Sequence, residues 1–428
     1  MSELSVVEIC AGAGGQSLGL HLAGFQHELA VEIDDTAART LRANLSRVAD
    51  EAGHKPPEIA VGDVADESVW RPKEHKGVSL LAGGVPCPPF SIAGKQLGAS
   101  DERDLFAWAV ETAGRLEPDA VMLENVRGLS MPRFAGYRQA VLDRFEQLGY
   151  AADWQLLEAR DYGVPQLRPR FVLVALKHEY APYFRWPDPK PTTDTVGTAL
   201  YDLMAARGWR GAERWAAGAN SIAPTIVGGS KKHGGPDLGP TRARQAWAAL
   251  GVDGLGIADE VPGRDQPARF VPKLTTDMVA RLQGWAGAEY LWQFEGRKTH
   301  RYRQIGNAFP PPVARAVGAS IAAALRMEGD GQAGNKDERG FHDEVYRVLR
   351  DQGTFITHSR IERLLGGRLT VEQIEQRIEH LGGDFAIEIK TVRGEPAVRL
   401  GEWRAFRGQE GHERHRAFTE RKLRSRIS

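Results

Sequence analysis

The chain is short of cysteine, carries no net charge and has no long apolar run. Only Cys10 and Cys87 are cysteines among 428 residues. Two thiols cannot build a disulfide framework, which agrees with a reducing cytoplasm. No Cys/His cluster has zinc-ligand spacing, so no metal site is expected. The 56 Lys and Arg balance the 56 Asp and Glu, so any contact with a polyanion must rest on local charge. No apolar stretch approaches the length of a membrane span. Met1-Ser2-Glu3-Leu4 has neither the basic region nor the apolar core of a secretion signal. A cytoplasmic protein without a membrane partner is expected. What is present is ordinary for a folded chain, 42% hydrophobic and 26% charged, with length for two or three units.

The N-terminal half alternates strand and helix. Strand candidates are Leu4 to Ile9, His27 to Val31, Ile59 to Val61, Val78 to Leu81, Ala120 to Leu123 and Phe171 to Leu176. Helical patterns separate most of them, and Asp35 is placed to cap one through Leu41 and Leu45. Such alternation predicts an α/β fold with a parallel sheet covered by helices. The loop Cys10-Ala11-Gly12-Ala13-Gly14-Gly15 follows the first strand, where glycines let backbone approach a nucleotide. Glu32 ends the second strand, 20 residues after Gly12, where an acidic side chain receives ribose hydroxyls. Asp63 follows the third strand and could take an adenine amino group. Ser17 stands where a dinucleotide fingerprint has its last glycine, which disfavours a dehydrogenase. A plain strand-helix turn is the alternative for these glycines.

Cys87 lies in Gly84-Val85-Pro86-Cys87-Pro88-Pro89-Phe90-Ser91, directly after a buried-strand pattern. A thiol on a rigid loop at a strand end suits nucleophilic chemistry; a small buried hydrophobe is the alternative. Glu124, followed by Asn125 and Val126, stands at the end of another strand and could move a proton or read a base edge, or merely cap a turn. Arg168 and Arg170, in Gln166-Leu167-Arg168-Pro169-Arg170, have strand spacing that predicts one shared side. Solvated residues at a strand entry are the alternative. Gly306-Asn307-Ala308 precedes an apolar helix through Val317, Ile321 and Leu325.

Taken in order, these segments resemble the DNA (cytosine-5) methyltransferase family from about Leu4 to Arg326. Each motif is weak alone, but the series is highly specific. The resemblance implies a Rossmann-like sheet dependent on S-adenosylmethionine, a small target-recognition domain and duplex DNA as substrate. A target cytosine is flipped from the duplex. Cys87 attacks its C6, Glu124 holds the N3 and N4 edge, and Arg168 holds the base and stabilises developing charge. Pro86, Asn125 and Arg170 support them. The cofactor is implied to lie against Cys10, Ala11, Gly12, Gly14, Gly15, Glu32, Ile33, Asp63, Val64, Leu105, Asn307 and Ala308. Two residues depart from the pattern. Cys10 replaces the usual Phe, thinning the adenine packing. Pro88 replaces the usual Gln after the nucleophile, which leaves space-filling to neighbours such as Ser91.

The expected organisation is a catalytic domain over 1–186 and 302–326, a target-recognition domain over 187–301, a linker over 327–339, a winged-helix-like α+β domain over 340–403 and a basic tail over 404–428. In the recognition region, Lys231, Lys232, His233, Arg242 and Arg244 are candidate DNA contacts, with a solvated loop as the alternative. In the C-terminal unit, Val345, Ile361 and Ile374 mark three helices before a hairpin. Glu372, Glu375 and Glu379 on the third helix should repel phosphate. A protein contact or dimerisation role is therefore preferred there over base reading. A restriction endonuclease of the same system is an expected partner. The competing readings are a tRNA cytosine-5 methyltransferase, a catalytically idle DNA-binding regulator and a small-molecule methyltransferase. The long recognition stretch favours DNA over tRNA, and the paired Cys87 and Glu124 argue against an idle regulator.

Overall fold

The computed structural model describes residues 3–86, 103–228, 236–331, 344–382, 385–392 and 394–403. In chain order the N-terminal part is β1 (Leu4–Ile9), α1 (Gly15–Leu22), β2 (Phe25–Glu32), α2 (Asp35–Glu51), β3 (Glu58–Val61), β4 (Leu80–Gly84), α3 (Arg103–Leu116), β5 (Ala120–Val126), α4 (Ala135–Gln147), β6 (Tyr150–Glu158) and β7 (Pro169–Lys177). The strands assemble in the order β3-β2-β1-β4-β5-β7-β6. Neighbours from β3 to β5 are parallel, whereas β7 runs antiparallel to both β5 and β6. That reversal brings the start of β7 to the carboxyl edge of β5, with Arg170 opposite Val126 and Val172 opposite Glu124.

Alternation of side chains gives the sheet two apolar faces. Val7, Ile9, Leu81, Leu123 and Leu173 pack with α3 and α4 residues such as Phe106 and Val141. Leu4, Val6, Leu80, Met122 and Val174 face the other way, beneath a later helix. The cap of α2 is Asp34 rather than the expected Asp35. Asp34 has extended backbone, and its Oδ1 accepts from the N–H groups of Thr36 and Ala37 at 3.0 and 3.1 Å. Asp35 falls in the first turn and pairs with Arg39.

Helices α5 (Val196–Ala205), α6 (Ala212–Gly218), α7 (Thr241–Ala249) and α8 (Thr276–Leu282) occupy residues 187–301, which add no strand to the sheet among the described residues. Trp209, Trp215 and Trp247 fill a core shared with Leu41 and Leu45 of α2. Helices α9 (Lys298–Asn307) and α10 (Pro311–Leu325) return the chain to the sheet. Val313, Val317 and Ile321 of α10 cover the second face.

The expectation that no apolar run reaches membrane length meets one exception. The stretch Lys298–Leu325 is long and apolar enough by length and composition, and 56% of its most apolar window is buried in the fold. The stretch breaks at Ala308, which is extended, before α10 begins on Pro311. Its apolar character is explained by the sheet it covers.

The C-terminal unit runs α11 (Glu344–Gln352), β8 (Ile356–Thr357), α12 (His358–Leu364), α13 (Val371–Gly382), β9 (Phe385–Val392) and β10 (Glu395–Trp403). Its sheet order is β8-β10-β9. The expected helices and hairpin are present, and β8 is an added strand. This unit is sealed onto α4. A Cβ on Gly136 would stand 2.3 Å from Leu381 Cδ2. The Tyr346 hydroxyl donates to Asp143 Oδ2 at 2.9 Å, and Arg350 Nη1 donates to Asp143 Oδ1 at 2.7 Å.

Candidate active site

A cleft of about 740 Å³ opens at the carboxyl edge of the sheet, a volume suited to a nucleotide-sized ligand. Its walls join the glycine loop to Glu32, Ile33 and Asp34 on one side, and to Pro86, Glu124, Asn307 and Ala308 on the other. The strand ends of β1, β2, β4 and β5 therefore converge on one space, as the alternating pattern predicted.

The glycine loop begins at Cys10, which lines the cleft with φ near 50°, an unusual conformation for a residue with a Cβ. Gly12 has φ +59 and nothing within 4 Å of where a Cβ would stand, so backbone is open to a ligand. Gly14 and Gly15 are small for another reason: added Cβ atoms would meet Trp292 at 2.4 Å and the Phe309 carbonyl at 2.3 Å. Glu32 accepts from the Gly12 N–H at 2.7 Å and from the Asp34 N–H at 2.8 Å. Burial raises its pKa above the ordinary carboxylate value, against those backbone hydrogen bonds. Ile33 is 61% exposed at the rim. Asp63 is buried and accepts from the Ala65 N–H at 3.0 Å. Val64 and Leu105 are core residues, and neither they, Asp63 nor Gly14 lines the cleft.

Glu124 lines the cleft and meets Arg170. Arg170 Nε lies 2.6 Å from Glu124 Oε1, a close charge contact whose N–H is not aligned as a hydrogen bond. Burial raises the Glu124 pKa, and Arg170 and then Arg168 pull it back. Arg168 is used differently from Arg170. It is 1% exposed and its guanidinium donates to the carbonyls of Ile226 at 2.5 Å, Gly306 at 2.7 Å and Ala308 at 3.0 Å. It ties the segment at Ile226 to α9 and the turn after it. The two arginines therefore do not share one task, although both lie near enough to act on Glu124. Asn125 also bonds to backbone. Its Nδ2 donates to the Val85 carbonyl at 3.1 Å and so fixes the end of the loop that leads to Pro86.

Cys87, Ser91, Lys231, Lys232 and His233 lie outside the described residues, as does the tail 404–428. Arg242 is exposed on α7, and Arg244 on the same helix donates to Thr241 Oγ1 at 3.3 Å. Five polar residues in the cleft wall are given no site role by the sequence: Glu8, Gln16, His300, Arg303 and Gln304, the last two within the motif that runs from Tyr302 to Asn307. Gln16 and Gln304 read as ordinary polar positions of helices, and Glu8 sits inside a strand. Gln304 is held by Thr40, whose hydroxyl donates to its Oε1 at 2.8 Å.

Comparison with known proteins places this geometry. Residues 4–323 match the family model described as C-5 cytosine-specific DNA methylase. The chain is 61% identical over 418 residues to the Type II methyltransferase M.NaeI of Lentzea aerocolonigenes, covering 98% of each chain. It is 46% identical over 331 residues to the Type II methyltransferase M.NgoMIV of Neisseria gonorrhoeae, covering 76% of this chain and 99% of that one. A solved structure of a candidate DNA modification methyltransferase encoded in an Escherichia coli prophage has the same fold, with TM-score 0.50 and 22% identity over 76% of this chain and 99% of its own. Family match, relatives and the carboxyl-edge cleft agree: the chain belongs to the C-5 cytosine-specific DNA methylase family and is a DNA (cytosine-5) methyltransferase.

Proposed function

We propose that the chain methylates C5 of a flipped cytosine in a specific duplex DNA sequence through a covalent bond from Cys87 to C6. The observation that carries this reading is that Glu124, paired with Arg170, lines the same cleft as Gly12 and Glu32. Cys87 follows Pro86, itself part of that wall.

The residues present fit S-adenosylmethionine as donor. Gly12 leaves its backbone open, Glu32 presents a carboxylate where ribose hydroxyls belong, and Gln16 leaves both ends of its buried amide unpaired. When bound, the cofactor supplies an electrophilic methyl group. Glu32, Ile33, Gly12, Asn307 and Ala308 hold and orient it. The indirect supports are Asp63, Val64, Leu105 and Gly14, which brace the loops around them.

The chain's own chemistry is nucleophilic activation. The Cys87 thiolate forms a bond to C6, which makes C5 electron-rich. Glu124 keeps a proton at the N3 edge, favoured by the burial that raises its pKa. Arg170 lies against that carboxyl and is the better placed of the two arginines to meet the base, whereas Arg168 positions backbone. Loss of the C5 proton and release of the thiol restore the ring. In the cell this modification protects host DNA from a restriction endonuclease of the same system.

Transfer of labelled methyl groups to duplex DNA and to tRNA tests the reading. Incorporation into DNA alone, at a defined sequence that then resists a matching endonuclease, is expected. Incorporation into tRNA alone would overturn it. The C-terminal unit has the element order of a winged helix, and the exposed Glu372, Glu375 and Glu379 favour a protein contact over DNA.

A further inference from the structure

The wall of the cleft holds a side chain that the reaction scheme leaves idle. Gln16 lies in the first turn of α1 and is 4% exposed. Both its Oε1 and its Nε2 are buried without a hydrogen-bond partner among the described residues. An amide taken from water on both ends is costly unless something else satisfies it. A second observation points the same way. The N-cap of α1 is Gly14, which has no side chain to cap the helix, so the free N–H groups of the first turn favour an anion there.

We infer that Gln16 binds the amino-acid end of the cofactor, its Nε2 donating to the carboxylate and its Oε1 accepting from the ammonium. This rests on the cofactor reading above. The assignment follows from position. Glu32 and Ile33 mark the adenosine side, whereas Gly15, the neighbour of Gln16, is packed against Ala308 and Phe309 on the other side. An amide suits a zwitterion because it offers one donor end and one acceptor end. A buried water would meet the same two atoms, so the test must separate water from ligand.

Gln16→Met keeps length and flexibility but removes both polar functions; Gln16→Leu is a second variant of similar size. Calorimetric titration of the full chain with S-adenosylhomocysteine and with 5′-methylthioadenosine, which lacks the amino-acid end, reads the effect. Both variants should bind S-adenosylhomocysteine about tenfold or more weakly than wild type and 5′-methylthioadenosine unchanged. The ligand-free variants should melt no lower than wild type, since two unpaired polar atoms are gone. Equal S-adenosylhomocysteine affinity would overturn the inference and leave water as the partner. Equal weakening of both ligands would overturn it in favour of a purely structural role. Failure of the wild-type chain to bind either ligand would instead defeat the cofactor reading itself.

Discussion

The cleft and the seam between the C-terminal unit and α4 use their polar groups differently. In the cleft wall, neither end of the Gln16 amide nor Glu8 Oε1 has a hydrogen-bond partner among the described residues, although Glu8 Oε2 pairs with His27, and no described atom lies within 4 Å of where a Gly12 Cβ would stand. Where the C-terminal unit meets α4, Asp143 takes the Tyr346 hydroxyl and Arg350, and Leu381 closes over Gly136. One region leaves groups for a ligand; the other spends them on holding two parts of a chain together. The relatives divide along the same line. M.NaeI matches 98% of this chain, whereas M.NgoMIV is matched over 99% of its own length by only 76% of it.

The largest effect should come from Glu124→Ala, which removes the carboxyl while leaving the cofactor wall intact. Methyl transfer should fall by about 10²–10⁴-fold, with S-adenosylhomocysteine affinity near wild type. Loss of affinity in parallel would mean that the two ends of the cleft are not separable. Next in size is the contrast between the arginines. Arg168→Ala takes this donor from the carbonyls of Ile226 and Gly306, while Ala308 keeps Gln283 Nε2, a cost of about 1–3 kcal/mol for each group left unsatisfied, read as a lower Tm. Arg170→Ala should lower turnover more than Tm. The reverse ranking would restore Arg168 as the arginine that meets the base.

Gly136→Val tests the other region. The added side chain must displace Leu381, costing roughly 1–3 kcal/mol. Tm should fall while the residual folded enzyme keeps its kcat. A fall in kcat at full folding would show that the C-terminal unit acts on the cleft.

The smallest effect is in pH. Burial raises the Glu124 pKa, so folding favours the protonated acid and stability falls as pH rises from the ordinary carboxylate range through the raised value. Glu32 shifts in the same direction and is present in both proteins compared. Glu124→Gln should therefore lose less Tm than wild type across that window. Parallel curves would mean that the charges of Arg170 and Arg168 offset the burial.

Much of this was legible in the sequence, for physical reasons. The strand ends were readable because buried parallel strands are continuous apolar runs closed by glycine, as in Leu80-Leu81-Ala82-Gly83. β6 was not, because Tyr150–Glu158 is an edge strand with only Tyr150, Trp154 and Leu157 fully buried, which leaves no continuous run. Asp34 and Asp35 are both competent caps, and only the backbone conformation separates them. The ranking of Arg168 above Arg170 as the base-holding residue could not be tested by spacing, which brings both near Glu124 but does not say which backbone carbonyls a guanidinium meets. Gln16 was invisible since a polar residue on a short helix ordinarily faces water, and burial is a property of what α10 and the sheet build around it.

Bisulfite sequencing of DNA from cells expressing the full chain, beside Cys87→Ser and Glu124→Ala, tests the central claim most directly. The account predicts converted-resistant cytosines at one defined sequence with the wild-type chain and at none with Cys87→Ser, with Glu124→Ala strongly depleted. Undiminished methylation with Cys87→Ser would contradict it.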